Sequence, residues 1–419
     1  MTQLPHMTVL PSLKTITWFP NNLNELLLIQ NLLSPSLSSI NIHYHPIAPS
    51  HSIPNPKAFT SLCSLISSFQ SMPGLVNLSL QGLLGLFAQD EIGAVAGSRA
   101  AALRKSLSGV LHKGSSLREV ALEDYGSAFI PVDNLGQLRR LSSLVLSLPN
   151  FKHSDPESTE RNDSDLFENL VHLHITSCDV ASAAKFLSKV TSPALESIEL
   201  FLNIAQSEGP PQFFVYAGRW SRLKILKIQP KDEFEETHLI IRMADISSLL
   251  QCCPHMEAFE IASYVWDMTD ADMKAIATAW PDLERLGFCQ YPIALDLATH
   301  SPRVTLFGVH DLVISCLYLQ SLCICLNADM IPETDNVRTR RRRTGFKFSP
   351  GISLLRSAES VGEYMAAMGQ KGYKFTMPKE RVMLNTDIRW RGETRRECVI
   401  RAASWCLAKD IAEGMVWKG

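Results

Sequence analysis

The chain has no Cys-x-x-Cys motif, although it contains ten cysteines among its 419 residues. That spacing marks zinc sites and thioredoxin-like redox sites, so neither is predicted. The chain also lacks a basic segment followed by an apolar stretch at its start, which argues against a secretory signal peptide. We therefore expect mostly buried, reduced thiols in a cytoplasmic or nuclear protein.

A long uninterrupted apolar run is missing as well. The nearest candidate for a membrane span, residues 306–326, carries Asp311 and Gln320. One Asp at the centre of a span costs about 2.5–3.5 kcal/mol on insertion scales. We interpret this stretch as part of a soluble core and predict no membrane partner.

The common catalytic motifs are absent: the sequence contains no GxxxxGK[ST], GxGxxG, HExxH or GxSxG. These motifs place phosphates, zinc ions or serine nucleophiles in the standard enzyme families. We predict no enzymatic activity and no cofactor.

The chain has little net charge, but its charged residues are unevenly distributed along the sequence. The 40 Lys and Arg residues and 42 Asp and Glu residues give a formal net charge of −2. Residues 334–419 hold 18 basic and 9 acidic residues, a net charge of +9, which leaves 22 basic and 33 acidic residues, a net charge of −11, for the rest. We predict a domain over residues 1–333 and a basic C-terminal extension over residues 334–419.

What the sequence does contain is a repeat. The pattern apolar-x-x-apolar-x-apolar occurs eleven times between Leu13 and Ile324, with successive units starting 24 to 42 residues apart. We call its three apolar residues, at positions 1, 4 and 6 of each unit, the anchors. The first anchors are Leu13, Leu37, Leu75, Leu117, Leu141, Leu170, Leu195, Leu223, Met256, Leu283 and Leu319.

The residues around these units indicate the fold. Several units have a proline two residues before the first anchor, which suits a corner between a helix and a short strand; these are Pro11, Pro35, Pro73, Pro193, Pro254 and Pro281. Asn or Cys follows the last anchor by three residues at Asn21, Cys178, Asn203 and Asn327. This completes the leucine-rich-repeat consensus LxxLxLxxN/C. Helical patterns fill the gaps at 94–111, 181–190 and 271–280.

We therefore predict an α/β fold, a leucine-rich-repeat solenoid with parallel strands on its concave face and helices on its convex face. A basic tail, partly helical or disordered, follows it. Short amphipathic helices are predicted in this tail at 359–368 and 395–415.

One stretch also points to a family. Residues 268–288 combine the helix start Thr269-Asp270-Ala271-Asp272 with a Trp-Pro-Asp-Leu corner and a closing strand. This run resembles fungal, basidiomycete-type F-box/leucine-rich-repeat proteins, as do residues 10–18 and 304–332. In that family an F-box grips the linker subunit of a Skp–cullin–F-box ubiquitin ligase, and the repeats choose the substrate. The resemblance implies a protein-binding scaffold.

The resemblance covers the repeats, roughly residues 8–333. Only twelve residues precede Leu13, so we expect no F-box in this chain and a ligase linker subunit as partner only if an F-box is encoded upstream. A complete ligase adaptor whose F-box is lost from the gene model is the alternative.

The candidate site follows from the period of two along a strand. If the anchors point into the core, positions 3, 5 and 7 of each unit face the concave surface. The early units present small or neutral groups there, and the middle units present charged and aromatic ones. The predicted partner-binding residues are Glu119, Glu123, His172, His174, Glu199, Phe201, Lys227 and Glu260. An unidentified protein is the predicted partner.

Two further clusters allow other interpretations. His172, His174 and Glu199 are spaced so that one metal ion could contact all three, but a metal site needs correct geometry as well, and we predict none. The basic patch of the tail consists of Arg338, Arg340, Arg341, Arg342 and Arg343. We favour a solvated linker there, because no aromatic platform for nucleic acid accompanies it. A nuclear or nucleic-acid-associated role of this tail is the alternative.

Overall fold

The computed structural model describes residues 10–44, 56–82, 94–123, 132–148, 166–203, 213–230, 240–262, 265–288, 302–332, 346–350, 357–368, 374–375, 404 and 406–411. The chain divides into two compact units, residues 1–195 and residues 196–419, which we call the first and second unit. No helix within these described ranges has the length and hydropathy needed to span a membrane.

The first unit contains a parallel sheet in which six strands are neighbours in chain order. They are β1 (Thr15–Trp18), β2 (Ser39–His43), β3 (Asn77–Gln81), β4 (Glu119–Leu122), β5 (Ser143–Ser147) and β6 (His172–Asp179). The register aligns position 4 of every repeat, with Ile40 between Ile16 and Leu78. Each strand therefore corresponds to one predicted repeat.

The second unit repeats this arrangement. Its parallel strands, in spatial order, are β7 (Ser197–Asn203), β8 (Ile225–Pro230), β10 (Ala258–Ile261), β12 (Arg285–Gly287), β13 (Ser321–Cys323), β14 (Lys347–Ser349) and β15 (Lys374–Phe375). Two short strands, β9 (Ile240–Arg242) and β11 (Val265–Asp267), pair in parallel as a separate sheet.

Helical segments connect the strands in both units. In the first unit they are α1 (Leu23–Leu28), α2 (Pro56–Ser68), α3 (Ala94–Lys113), α4 (Val132–Gly136) and α5 (Val180–Ser188), with 3-10 turns at Ile29–Leu32 and Phe69–Ser71. In the second they are α6 (Phe213–Ala217), α7 (Ser247–Cys252), α8 (Asp270–Ala279), α9 (Leu306–Ser315) and α10 (Ala358–Met368), with a 3-10 turn at Met243–Ile246.

The predicted start of α8 is confirmed in detail. Thr269 is its N-cap, and Thr269 and Asp272 form the reciprocal bonds of a capping box. These bonds satisfy backbone N–H groups that the first turn of a helix leaves free.

The anchors form the core of each unit. Of the predicted anchors in all eleven repeats, only Leu13 and Trp18 of the first repeat are not buried. Burial of an aliphatic side chain contributes about 1.5–3 kcal/mol, so this core stabilises every strand in turn. The fold is the predicted α/β solenoid of leucine-rich-repeat type, with one parallel strand per repeat and helical connections.

A second regularity lies three residues before each first anchor, at what we call the entry residue. In most repeats the first-anchor N–H donates to the entry residue's carbonyl, as from Leu37 to Ser34 and from Leu283 to Trp280. Buried entry side chains are Ser34, Met72, Leu138, Phe167, Ser192, Trp220, Cys253, Trp280 and Cys316. This turn ends each connection and starts the next strand.

Polar entry residues bond backward to the preceding repeat. Ser192 Oγ donates to the carbonyls of Leu170 and Glu168 at 2.7 and 3.1 Å. Cys253 Sγ lies 3.4 Å from the carbonyl oxygen of Trp220, and Cys316 Sγ lies 3.5 Å from that of Trp280. A hydroxyl and a thiol thus perform the same task, because each supplies one donor to a buried carbonyl.

Two strands after residue 333 escaped the sequence pattern. In the register, Phe348 of β14 and Phe375 of β15 align with the position-4 anchor Leu322. Position 1 of these repeats is then Gly345 and Gly372, which an apolar pattern does not detect. The boundary predicted at residue 333 stays a prediction.

The tail is partly helical, as expected. The helix predicted at 359–368 is α10, and its side chains Val361, Tyr364 and Met365 are buried. Residues 406–411 are also helical, and Ala408 among them is buried. A Cβ on Gly362 would meet the carbonyl of Ala408, so the two helical segments pack closely.

One cysteine departs from the expectation of reduced thiols. Cys323 is disulfide-bonded. The other cysteines in the described ranges form no disulfide; they are Cys63, Cys178, Cys252, Cys253, Cys316, Cys325 and Cys406. A sequence without regular cysteine spacing gives no signal for such a bond.

Candidate partner-binding face

The side chains at positions 3, 5 and 7 lie on the sheet face opposite the anchors, which we call the open face of each unit. In β2 and β3 the burial alternates strictly, with half-exposed residues between buried anchors. The alternation follows from the pleat, because successive side chains of a strand point to opposite faces. The open face is therefore where the sheet can contact another molecule.

The open face of the first unit has a depression of about 270 Å³ over β2 to β5. Its middle is formed by the small side chains of Ser79 and Ala121, with Asn41 and Val145 beside them. Glu119 and Gln81 line its two ends. The depression exists because the register places small position-5 residues of neighbouring strands side by side.

Position 7 of the early repeats carries a connected row. Phe19 stacks on His43 with a centroid distance of 5.0 Å. His43 Nδ1 lies 2.6 Å from Gln81 Oε1, and Gln81 Nε2 donates to Glu123 Oε1 at 2.8 Å. Because the Gln81 amide nitrogen is committed to a carboxylate, its oxygen accepts, and His43 Nδ1 must carry the proton.

Two amide oxygens in the depression have no donor. Asn41 Oδ1 and Asn77 Oδ1 are buried and receive no hydrogen bond from any residue that the structure describes. Most buried side-chain polar atoms in proteins are paired. The floor of this depression therefore holds more acceptors than its own donors satisfy.

The four predicted site residues of the first unit lie on its open face. Glu119 and His172 occupy position 3, on either side of Ser143. His174 occupies position 5 next to Val145, and Glu123 follows β4 at position 7. The structure brings Glu119 to the depression and ties Glu123 to Gln81.

The four predicted site residues of the second unit are also on its open face. Glu199, Lys227 and Glu260 are directly in register at position 5 of three adjacent strands. Their charges alternate across the strands, and opposite charges in neighbouring positions stabilise a sheet by about 0.2–1 kcal/mol per pair. Phe201 is beside Gln229 at position 7.

Sequence analysis missed a further member of this charged row. Arg285 at position 3 of β12 places its Nε 3.5 Å from Glu260 Oε1. The residue belongs to a repeat that we predicted, so the repeat register contained the signal. Glu260 thus has an ion-pair partner within the open face of the second unit.

The basic patch Arg338, Arg340, Arg341, Arg342 and Arg343 lies outside the described residues. No group of three His, Cys, Asp or Glu side chains suited to a metal ion occurs in the parts of the chain that the structure describes.

Buried thiols in both units have raised pKa values. Burial raises the pKa of Cys253 from 9.0 to about 12. Burial, followed by the nearby Asp179 carboxylate, also raises the pKa of Cys178. A thiol is nucleophilic only as thiolate, so these positions suit structural roles.

No protein-family model matches the chain, and no curated protein is significantly similar to it. Among solved structures, the leucine-rich repeat-containing protein LegL7 from Legionella pneumophila is similar with a TM-score of 0.34 and 13% identity, over 72% of this chain and 90% of that one. A protein from Bacteroides fragilis is similar with a TM-score of 0.31 and 12% identity, over 68% and 67%. The fold assignment rests on the register and the buried anchors.

Proposed function

We propose that the chain is a protein-binding scaffold whose repeats present the open face to a partner protein. The observation that supports this is the alternation along strands such as β2 and β3, in which the anchors are buried and the side chains between them are half-exposed. A repeat solenoid builds its binding surface in this way. The missing catalytic motifs agree with a role in binding rather than catalysis.

Affinity capture with a face-specific variant tests the proposal. Ser79→Arg places a long side chain in the middle of the depression, whereas Ala101→Arg adds the same charge to an exposed position of α3. We expect proteins captured by the wild-type chain to be retained by Ala101→Arg and lost by Ser79→Arg. Partners that both variants retain, or that both lose, would contradict binding through the first unit's open face.

A variant of the second unit extends this test. Glu199→Ala combined with Phe201→Ala removes a carboxylate and a ring from two half-buried open-face positions of β7. Aromatic and charged residues dominate binding energy at protein interfaces. If capture depends on this pair but not on Ser79, the partner-binding face belongs to the second unit.

The finer proposal, that these repeats select substrates for a Skp–cullin–F-box ubiquitin ligase, is supported by the resemblance of residues 268–288. Reading the genomic sequence upstream of Met1 for an in-frame F-box exon tests it. An F-box there, together with binding of the linker subunit by the extended chain, is the expected result. No such exon and no linker binding would end the ligase proposal and leave the scaffold proposal intact.

The role of the basic tail in nuclear or nucleic-acid association stays a prediction. Binding through phosphate contacts weakens steeply with salt. A variant of the full chain with Arg340, Arg341, Arg342 and Arg343 changed to Gln should lose such binding. Nucleic-acid binding that is absent, or insensitive to salt and to this variant, would contradict that role.

A further inference from the structure

The open face of the first unit is electrostatically one-sided. Positions 3, 5 and 7 of its six repeats carry two carboxylates, Glu119 and Glu123, and neither Lys nor Arg. The remaining residues there are histidines, small residues, hydroxyls, amides and the apolar Phe19 and Val145. Since these positions hold no fixed cation to compensate the carboxylates, they attract positive groups of other molecules.

The depression gathers hydrogen-bond acceptors around one of these carboxylates. It brings Glu119 together with the hydroxyl-bearing Ser39, Ser79 and Ser143. The buried oxygens of Asn41 and Asn77 add two acceptors that lack donors. Rotation about the last side-chain torsion of an Asn exchanges its oxygen and nitrogen ends, so these oxygens can turn toward a ligand without a backbone change.

The side chains at position 7 form one wall of the depression. Gln81 is held between His43 and Glu123 by hydrogen bonds of 2.6 and 2.8 Å. Its amide is therefore fixed, and the wall that it forms is rigid. A site with fixed polar walls loses less entropy when it binds than a site that must first become ordered.

Size and shape narrow the choice of occupant. The volume of about 270 Å³ is below the roughly 300–1,000 Å³ that encloses drug-sized ligands, but a single long side chain needs less room. Ala121 and Val145 give the floor an apolar part, against which a methylene stem packs. The acceptors are contributed by four adjacent strands, so one point charge cannot reach all of them.

We propose that this depression receives an arginine side chain of the partner protein; the inference rests on the proposed scaffold function. A guanidinium presents five N–H donors in one plane and is weakly hydrated, whereas a lysine ammonium is compact and strongly hydrated. The guanidinium pairs with the Glu119 carboxylate, and its other N–H groups bond to the serine and asparagine oxygens. Glu123 adds long-range attraction through its position behind Gln81.

A peptide selection tests the proposal with a defined probe. A displayed library of random peptides is selected on the immobilised full-length chain. The strongest peptide is then synthesised in three forms that carry arginine, lysine or the neutral arginine analogue citrulline. Fluorescence anisotropy measures their affinity for the wild-type chain, for Glu119→Gln and for Glu168→Gln, a matched control because Glu168 is an exposed residue of the same unit outside the depression.

We expect selected peptides to share an arginine and the citrulline form to bind about ten-fold more weakly or worse, with lysine between them. Glu119→Gln should abolish most of the preference for arginine over citrulline, while Glu168→Gln should preserve it. Rising salt should weaken the arginine form more than the citrulline form, because charged groups near the surface are screened.

The inference is overturned if citrulline and arginine peptides bind equally, if Glu119→Gln behaves like Glu168→Gln, or if no peptide is selected. These failures differ from failure of the scaffold proposal. Peptides that lose binding to Ser79→Arg yet ignore the arginine change leave the open face as binding surface and remove only the arginine specificity. Peptides that bind Ser79→Arg as well as wild type contradict binding through the first unit's open face and overturn the arginine inference with it.

Discussion

The open faces of the two units differ in the charged side chains that they carry. In the first unit Glu119 and Glu123 occur without a Lys or Arg at positions 3, 5 or 7. In the second unit Glu199, Lys227 and Glu260 alternate in register, and Arg285 approaches Glu260. The backbone ladder and the buried anchors are nevertheless of the same kind in both units.

This difference shows how a repeat protein separates folding from recognition. Anchors and entry residues repeat because every strand must be buried against its neighbours. The open-face positions carry no such obligation, so their fixed charges are carboxylates alone in the first unit and of both signs in the second. A face that satisfies its own charges gains little from a charged partner, whereas an unbalanced face gains more.

The variant with the largest expected effect tests whether the two units depend on each other for stability. Trp280→Ala in the second unit removes a fully buried entry side chain, and such truncations cost about 3–5 kcal/mol. We expect hydrogen exchange, followed by mass spectrometry, to accelerate in β10, β12 and β13 while β2 to β4 keep their protection. Acceleration of equal size in both units would show that they unfold together.

Trp280→Phe is the matched control for that variant. It keeps an aromatic ring at the site and removes the indole N–H, which is buried and finds no acceptor among the described residues. An unsatisfied buried donor costs about 1–3 kcal/mol, so the phenylalanine variant should lose far less stability than the alanine variant. An equal loss for both would mean that ring volume is not what the entry position requires.

Sequence alone was sufficient for the eleven repeats up to Ile324 because their signal is periodic and apolar. Leu78 and Leu80 are spaced two apart and lie at the same positions as Leu144 and Leu146, and the pleat converts that spacing into one buried face. The entry position is less visible from sequence. The entry residues occupy the same position in each repeat and are buried, but their side chains differ in chemical type, as Ser192 and Trp280 show.

The depression was beyond sequence analysis for a different reason. Ser79 and Ala121 are far apart in the chain and become neighbours only through the pairing of β3 with β4. Sequence reasoning gave most weight to the charged middle repeats. The depression lies over β2 to β5, of which only β4 carries a predicted site residue, because an enclosed shape depends on small residues meeting across strands.

The next prediction concerns the cores, where the two units should be alike. Burial raises the pKa of Cys178 in the first unit and that of Cys253 in the second, the latter to about 12. The adjacent Cys252 is exposed. At pH 8.5 iodoacetamide should alkylate Cys252 much faster than Cys253, because burial shields the Cys253 thiol and, by raising its pKa, keeps it protonated.

The same pKa shifts determine how the stability of the fold changes with pH. Each thiol keeps its proton in the folded state at pH values where the unfolded chain gives it up. Their contribution to stability is therefore complete below about pH 9 and is lost as the pH rises toward 12. Urea unfolding at pH 8 and pH 10 should show a lower midpoint at the higher pH, and Cys253→Ala should reduce that difference. A midpoint that does not change with pH would contradict the prediction.

A smaller effect is expected from the entry hydroxyl of the first unit. Ser192→Ala leaves the carbonyls of Glu168 and Leu170 without the hydroxyl that donates to them, at a cost of about 1–3 kcal/mol in the free energy of unfolding. Ser192→Cys restores a donor of the type that Cys253 provides at the same position and should recover part of the loss. If the cysteine variant is no better than alanine, the two units do not use this position in the same way.

The smallest expected change in stability comes from substitutions on the open faces. Arg285 and Glu260 are 48% and 29% exposed, and exposed ion pairs contribute about 0–1 kcal/mol. Glu260→Gln should therefore lower the free energy of unfolding by a fraction of 1 kcal/mol, and a double-mutant cycle with Arg285→Gln should assign that fraction to the pair. Glu119→Gln should leave stability unchanged, since its carboxylate has no cation beside it on the open face. If Glu119→Gln instead cost as much as Glu260→Gln, the first unit would already satisfy that carboxylate within the fold, and its capacity to attract a cationic partner would be reduced by the same amount.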